Sequence, residues 1–310
     1  MSTPQDQAAR GAAAVPVALT IAGSDSSGGA GAQADLKTFS ALGVYGASVF
    51  TALTAQNTRT VSAVWAVPAD FVRAQLDAVL DDLAVAAIKL GMLHSAEIIE
   101  AVAAGLARFP HIPVVLDPVM VAKGGAALLS PGSAVAALIG RLLPRAAVIT
   151  PNLPEAAVLL GCTEEAVRGD PRGACARLRG LGARAVLLKG GHAGGARSED
   201  LLDAGGEILT LSAPRLATRH THGTGCTFAA ALAAGLAHGL ALGEAAQAAK
   251  RYITAAIAAA DGLCQQLGTP AADAARPAAE VPAGTAPIVG HGPVHHFFAL
   301  WPTPARTLLS

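Results

Sequence analysis

Charge and aromatic rings are scarce in this chain of 310 residues: 14% are charged and 4% are aromatic, with two tryptophans and two tyrosines. The 22 basic residues are balanced by 22 acidic ones. No basic stripe of the sort a nucleic-acid partner needs is present, so none is expected. Four cysteines, Cys162, Cys175, Cys226 and Cys264, lack metal-type spacing and are too few for a disulfide framework in a chain of this length. Reduced thiols and a cytoplasmic location are expected. There is no G-x-x-x-x-G-K-S/T phosphate loop, no H-E-x-x-H, no C-x-x-C and no G-x-S-x-G elbow. The glycines of GSDSSGGAGAQ fall in the wrong order for a dinucleotide fingerprint, and no acid closes the next strand.

Long, strongly apolar runs are missing too. Cys226 to Leu242 is mostly alanine, interrupted by Gly235, His238 and Gly239, and falls short of the ~20 apolar residues a membrane span requires. It reads as a buried core helix, and no membrane partner is expected. The run from Ala12 to Ala22 behind Arg10 imitates a signal peptide, but Pro16 interrupts it and a Gly-rich loop follows at once.

What the chain has in plenty is aliphatic core, with 52% apolar residues. Short β-branched runs at Val17–Ala22, Gly46–Leu53, Ala86–Leu90, Val114–Asp117, Ala147–Thr150 and Ala185–Lys189 alternate with helical patterns at Ala32–Leu42, Pro68–Leu83, Ala96–Arg108 and Pro154–Leu160. That alternation predicts βαβ units, with a mainly parallel sheet covered on both faces. A hairpin is expected from Leu201–Asp203 to Glu207–Leu211, and two closing helices at Thr227–His238 and Gly243–Gly262. Residues 1–15 read as a flexible tail, 16–267 as one α/β domain, 268–289 as a Pro/Ala-rich linker, and 290–310 as a tail. HGPVHHFFALW in that tail is too apolar to leave in water and should dock on the body.

Several polar clusters fall where strands end, which is where parallel α/β sheets bind ligands. THGTGCT (Thr221–Thr227) opens a helix. Gly223 and Gly225 bare backbone amides there, and the helix dipole favours an anion such as phosphate, although an ordinary cap has the same look. AGSDSSGGAGAQADLKT (Ala22–Thr38) offers a close-approach loop and Asp35 one turn into the next helix, where an acid also suits the dipole. In TAQNT (Thr54–Thr58), the Gln56 amide can read an aminopyrimidine edge or sit in a polar loop, and Met92 of KLGMLHS can touch an aromatic ring or fill core. TPNLPEA sets Asn152 and Glu155 where they could hold Mg²⁺ or form a capping box. Lys189 of KGG could bridge a transferring phosphoryl group, and Asp117 of LDPVM offers a second acid near the metal. His295 and His296 have no carboxylate near in sequence and read as polar residues of the docked tail.

The motifs AGSDSSGGAGAQADLKTFSALGVYG, TALTAQNT, KLGML, LDPVM, ITPNLPEA, LLKGGH, THGTGCT and GPVHHFFALW, in this order, resemble the hydroxymethylpyrimidine/phosphomethylpyrimidine kinases of thiamine biosynthesis. The likeness runs from about Val17 to Gly262 and again over Gly290 to Trp301. It implies the ribokinase-like fold, a three-layer α/β/α sandwich, and phosphorylation of 4-amino-5-hydroxymethyl-2-methylpyrimidine and of its monophosphate with ATP and Mg²⁺. By this resemblance Gly23, Asp35, Gln56 and Met92 line the pyrimidine pocket. Lys189, Asn152, Thr221, Gly223 and Gly225 serve the nucleotide phosphates, and Glu155 and Asp117 the Mg²⁺. Gly223, Thr224, Gly225 and Cys226 form the anion hole. A homodimer is implied as well. Cys226 stands where many ribokinase-like sugar kinases carry Asp; a thiol at a helix start has a lowered pKa and could accept the hydroxyl proton, or simply leave room. Thr54 departs from the apolar residue of some relatives. The rival readings are a pyridoxal/pyridoxine kinase and a catalytically silent ligand binder on the same fold.

Overall fold

A computed structural model describes residues 14–121, 125, 128–130, 132–190, 195–267 and 291–301. The expected linker over 268–289, nearly all of the expected N-terminal tail, and Gly191 and His192 after Lys189 lie outside the described residues.

Strand β1 (Val17–Ala22) alternates its side chains between two cores. Leu19 and Ile21 enter one, Ala18 the other, and β6 (Val114–Leu116) and β8 (Val186–Lys189) do the same. Helices must therefore cover both faces of the sheet. Its order is β10-β9-β8-β7-β6-β5-β1-β2, with β2 at Tyr45–Phe50, β5 at Val85–Leu90, β7 at Val148–Ile149, β9 at Arg197–Asp203 and β10 at Leu209–Pro214. Pairing from β2 through β8 is parallel, and β9 and β10 add antiparallel. The chain lays β2 on one side of β1 and later β5 on the other, which leaves a crevice beyond the carboxyl ends of β1 and β5.

One face carries α1 (Gly31–Ala41), α8 (Thr224–Ala237) and α9 (Leu242–Ala258), whose small apolar side chains fill the second core. The other carries α2 (Ala69–Leu80), α3 (Ala96–Leu106), α4 (Ser133–Ala137), α5 (Leu153–Leu160), α6 (Glu164–Gly169) and α7 (Pro171–Gly180). Side chains cap several of these. Ser95 accepts from Ile98 N, Thr163 from Ala166 N, and Asp170 from Gly173 N with Pro171 at the first helical position.

Three segments differ from the sequence expectation. The predicted strand Gly46–Leu53 breaks at Thr51, whose hydroxyl donates to Met92 O; beyond it β3 (Ala52–Gln56) leaves the main sheet and pairs with β4 (Val61–Ala66) as a separate hairpin. TAQNT is thus strand as far as Gln56. The second hairpin is longer than predicted, with Arg197–Asp203 pairing to Leu209–Pro214. The last predicted helix divides into α9 and α10 (Ala260–Gln266). Residues 291–301 return to the body. Val294 is fully buried in the second core, Tyr252 and Phe298 rings lie 5.5 Å apart, and His295 N donates to Ala256 O.

Candidate active site

The loop after β1 is organised by Asp25, which is 1% exposed. Its carboxylate accepts from Ser27 N and Oγ, Gly29 N and Ala30 N, and lies 2.7 Å from His222 Nε2. Burial works against that charge, but the hydrogen bonds from His222 and Ser27 outweigh it and hold the carboxyl below its ordinary range. Neither Asp25 nor His222 stands out in sequence, because their partners lie 197 positions apart.

In the crevice between β1 and β5, Gly23 and Met92 meet. A Cβ on Gly23 would lie 2.8 Å from Met92 Sδ, so any larger residue there would push this thioether aside. Asp35, on the first turns of α1, is fully buried. Its Oδ2 takes a hydrogen bond from Thr20 (2.6 Å) and an ion pair from Lys89 (2.8 Å), while Oδ1 is buried with no partner. Burial, with Asp117 adding to it, pushes the Asp35 carboxyl up, while Lys89 and Thr20 oppose. Burial likewise opposes the charge on Lys89, yet Asp35, Cys226 and Asp117 outweigh it and hold the ammonium above its usual value. The close contact and the firmly charged lysine make this a buried ion pair. Sequence reasoning missed Lys89, although it lies inside KLGML.

Gln56 lies on the β3–β4 hairpin, which is tied to the Asp25 loop through Thr54. That hydroxyl donates to Ser24 O, Thr54 N donates to Ser24 Oγ, and Ser26 Oγ donates to Thr54 O. Thr54 is therefore a tether as much as a pocket wall. Its hydroxyl also lies 3.2 Å from Gln56 Oε1.

Asp117 and Lys189 close β6 and β8. Lys189 Nζ donates to Asp117 Oδ1 at 2.8 Å, and Thr150 Oγ1 donates to the same oxygen at 2.9 Å. Burial opposes both charges. Lys189 and Lys89 still keep Asp117 low, while Asp117 and Glu155 keep Lys189 high. Asn152 and Glu155 form the capping box of α5, each backbone N–H donating to the other's side chain at 2.9 and 2.8 Å. Lys189 N donates to Pro151 O, which keeps the box beside the lysine. Burial, reinforced by Asp117 and opposed by Lys189, pushes the Glu155 carboxyl up to about 7.

Above these groups sits the start of α8. Gly223 has φ +81°, and a Cβ there would collide with Gly29 O, so glycine is required twice over. Among the described residues no side chain caps this helix; Thr224 Oγ1 donates to Thr221 O at 2.8 Å. Its first amides thus have no side-chain acceptor and suit an anion. A methyl on Gly225 would lie 3.4 Å from Lys189 Nζ and 3.7 Å from Asp117 Oδ2, so that pair faces the same loop. Cys226 is half-buried, and the lowered pKa expected for a thiol here is not what its surroundings give. Burial pushes the thiol up to about 11; Lys89 pulls it down, Asp35 and Asp117 push it further up, and a hydrogen bond from Gly31 N–H lowers it. The loss of water and the two carboxylates outweigh Lys89 and the Gly31 hydrogen bond.

These groups form two neighbouring clusters: buried Asp35, Lys89 and Met92 with Gly23, and the start of α8 faced by Lys189 and Asp117. The sequence profile of the phosphomethylpyrimidine kinase family matches residues 25–270, stopping short of the C-terminal segment. The chain is 53% identical over 289 residues to the hydroxymethylpyrimidine/phosphomethylpyrimidine kinase of Rhizobium meliloti (strain 1021), covering 92% of this chain and 98% of that one. A solved phosphomethylpyrimidine kinase from Clostridium difficile 630 superposes with TM-score 0.68 at 41% identity, covering 78% of this chain and 99% of that one. Pyridoxal kinase from Staphylococcus aureus, solved with AMP-PCP and pyridoxal, superposes with TM-score 0.72 at 39% identity over 79% and 88%. With the ribokinase-like α/β architecture, the uncapped GTGC helix and this similarity along most of its length, the chain belongs to the phosphomethylpyrimidine kinase family.

Proposed function

We propose that this protein uses ATP to phosphorylate 4-amino-5-hydroxymethyl-2-methylpyrimidine, and then its monophosphate, to the diphosphate used in thiamine synthesis. The observation that carries the reading is the uncapped start of α8 facing the Lys189–Asp117 pair, beside the buried Asp35–Lys89 ion pair. Phosphoryl transfer asks mainly for positioning and neutralisation of charge. The amides from Gly223 to Cys226 and the Lys189 ammonium supply both for the phosphoryl group in flight. The pyrimidine lies against Met92, and its amine and ring nitrogen pair with the Gln56 amide. Asp35 Oδ1 accepts from a donor on the acceptor, a bond that relieves its buried, unpartnered state.

Cys226 holds its proton in the resting site and cannot take up a second one, so the hydroxyl proton passes to an oxygen of the transferred phosphoryl group as the new bond forms. The second acceptor is an ionised phosphate and needs no base. The same hole therefore serves both steps.

Among the described residues no group of three or more His, Cys, Asp or Glu side chains forms a metal cage. Two carboxylates, Asp117 and Glu155, fit the way Mg²⁺ binds in kinases, through one or two carboxylates, water and nucleotide phosphates. There Mg²⁺ neutralises phosphate charge, and Lys189 holds Asp117 in place. We also infer a cytoplasmic homodimer. The free cysteines support the location; among the described residues no helix is long and apolar enough to cross a membrane. An apolar hollow on which Leu53, Trp65 and Phe71 are exposed supports the dimer.

ATP consumption by the purified chain with hydroxymethylpyrimidine, its monophosphate and pyridoxal tests the assignment. Turnover of both pyrimidines is expected. Preference for pyridoxal would move the activity to vitamin B6, and no turnover with any acceptor would leave a ligand binder.

A further inference from the structure

The C-terminal segment touches the Asp25 loop, the end of the Gln56 hairpin strand and the start of α8 as well as the core. Residue 293 pairs as a short parallel bridge with His222, the residue just before Gly223. His222 N donates to Gly292 O at 3.0 Å, and Val294 N donates to His222 O at 3.3 Å. His222 and Pro293 together close over Gly29, leaving no space for a side chain on the acceptor loop. One residue earlier, His291 N donates to Thr58 O, just past the Gln56 hairpin strand. Farther on, His296 is 4% exposed; its Nε2 lies 3.0 Å from Thr227 Oγ1 in the first turn of α8, and its carbonyl accepts from Tyr252 OH at 2.6 Å.

A tail that merely covered apolar surface would use apolar side chains, as Val294 and Phe298 do. Burying an imidazole is costly unless it is hydrogen-bonded, and here its partner is a hydroxyl on the anion-hole helix. His222, held by its own backbone to the segment, sends its ring to Asp25, the organiser of the acceptor loop. Acceptor and phosphoryl group are thus held by two loops whose relative position is set from a third piece of chain.

We propose that Gly292–His296 is a working wall of the phosphoryl-transfer site, with His222 and His296 as positioning residues that fix the anion loop on the acceptor loop. The inference deepens the kinase reading and rests on it for its kinetic arm. Near-attack geometry is sensitive at the ångström level, and a displacement of that size costs up to about 100-fold in rate. Loss of the His296–Thr227 contact should therefore lower kcat while binding of ATP by Lys189 and its neighbours changes little.

The experiment uses the full chain as wild type, His296→Leu, His296→Gln and Thr227→Val. Steady-state kinetics with hydroxymethylpyrimidine and ATP is combined with amide hydrogen exchange. His296→Leu is expected to lose kcat by about 10- to 100-fold with KM for ATP within about threefold. His296→Gln, whose amide can reach the Thr227 hydroxyl, should regain most of it. Exchange should rise across 221–227 in the leucine variant and stay unchanged in β5. A kcat within about threefold of wild type, or a loss that glutamine does not restore, overturns the proposal. If His296→Leu does not fold, Thr227→Val reads the same contact from the other side, and a wild-type kcat there overturns the proposal equally. Should the wild-type chain not turn over this acceptor, the kinase reading fails instead. The exchange arm then decides alone, with unchanged protection at 221–227 overturning the wall.

Discussion

Lowering the pH from 8 to 5 should unsettle this protein partly through one imidazole. His296 is buried, and burial, with Lys37, His295 and His222 adding to it, pushes its pKa down to about 3 from the ordinary 6.5. Below pH 6.5 the unfolded chain takes up a proton that the folded chain refuses, so stability falls as pH falls. The contribution is fully present above 6.5 and is lost progressively down to the folded value. At pH 5 the unfolded imidazole is almost wholly protonated and the folded one almost wholly neutral, and linkage gives a loss of about 2 kcal/mol relative to pH 8. A folded value near 4 gives almost the same loss, because pH 5 still lies above it. Urea unfolding of wild type and of His296→Gln at both pH values isolates the effect, since the other histidines are common to both proteins. The wild type should lose about 2 kcal/mol more than the variant. Parallel losses, agreeing within about 0.5 kcal/mol, would show that His296 is protonated or exposed in the native state.

Other perturbations probe the site itself. Gly223→Ala puts a Cβ into Gly29 O at a positive φ and should lower kcat at least about 100-fold by moving the anion loop; near-normal turnover would refute the tight approach. Lys89→Met strands the Asp35 carboxylate in the core and should cost about 3–5 kcal/mol in urea unfolding, part of it regained in the Asp35→Asn/Lys89→Met double variant. A cost below about 1 kcal/mol would mean the pair is not ionic. Cys226→Ala should affect the alcohol and the monophosphate by similar factors, within about threefold of each other, since a thiol that keeps its proton takes none from either acceptor. Slowing of the alcohol at least about tenfold greater than that of the monophosphate would show the thiol acting as proton acceptor.

The parallel sheet and its order of strand-end clusters were legible because β1, β5, β6 and β8 are short β-branched runs whose ends carry Gly23, Met92, Asp117 and Lys189. The β3–β4 hairpin was not. Half of β4 is exposed, and Val61–Ala66 alternates too weakly to announce a strand away from the main sheet. Asn152 and Glu155 could be read either as metal holders or as a capping box, and the coordinates show the box directly. The thiol of Cys226 illustrates a deeper limit. Its helix position is visible in GTGC, but the burial and the two carboxylates that raise its pKa come from α1 and β6. The partnership of His222 with Asp25 is equally unreadable, being set by the meeting of two loops far apart in the chain.

From Ala229 to Ala237 helix α8 offers only alanine, leucine and glycine to its surroundings, and from Thr227 to Gly235 every residue is buried. Gly235 lies so close to α9 that a Cβ there would come within 2.8 Å of Ala245 Cβ. Alanine has no rotamers to surrender on burial, so this rod is held still at almost no cost in side-chain entropy. It also has no flexible atoms with which to absorb a neighbour's change. A single added methylene deep in the helix would be transmitted along the rod to the amides at its far end, so the fidelity of the anion hole depends on the smallness of residues more than two turns away.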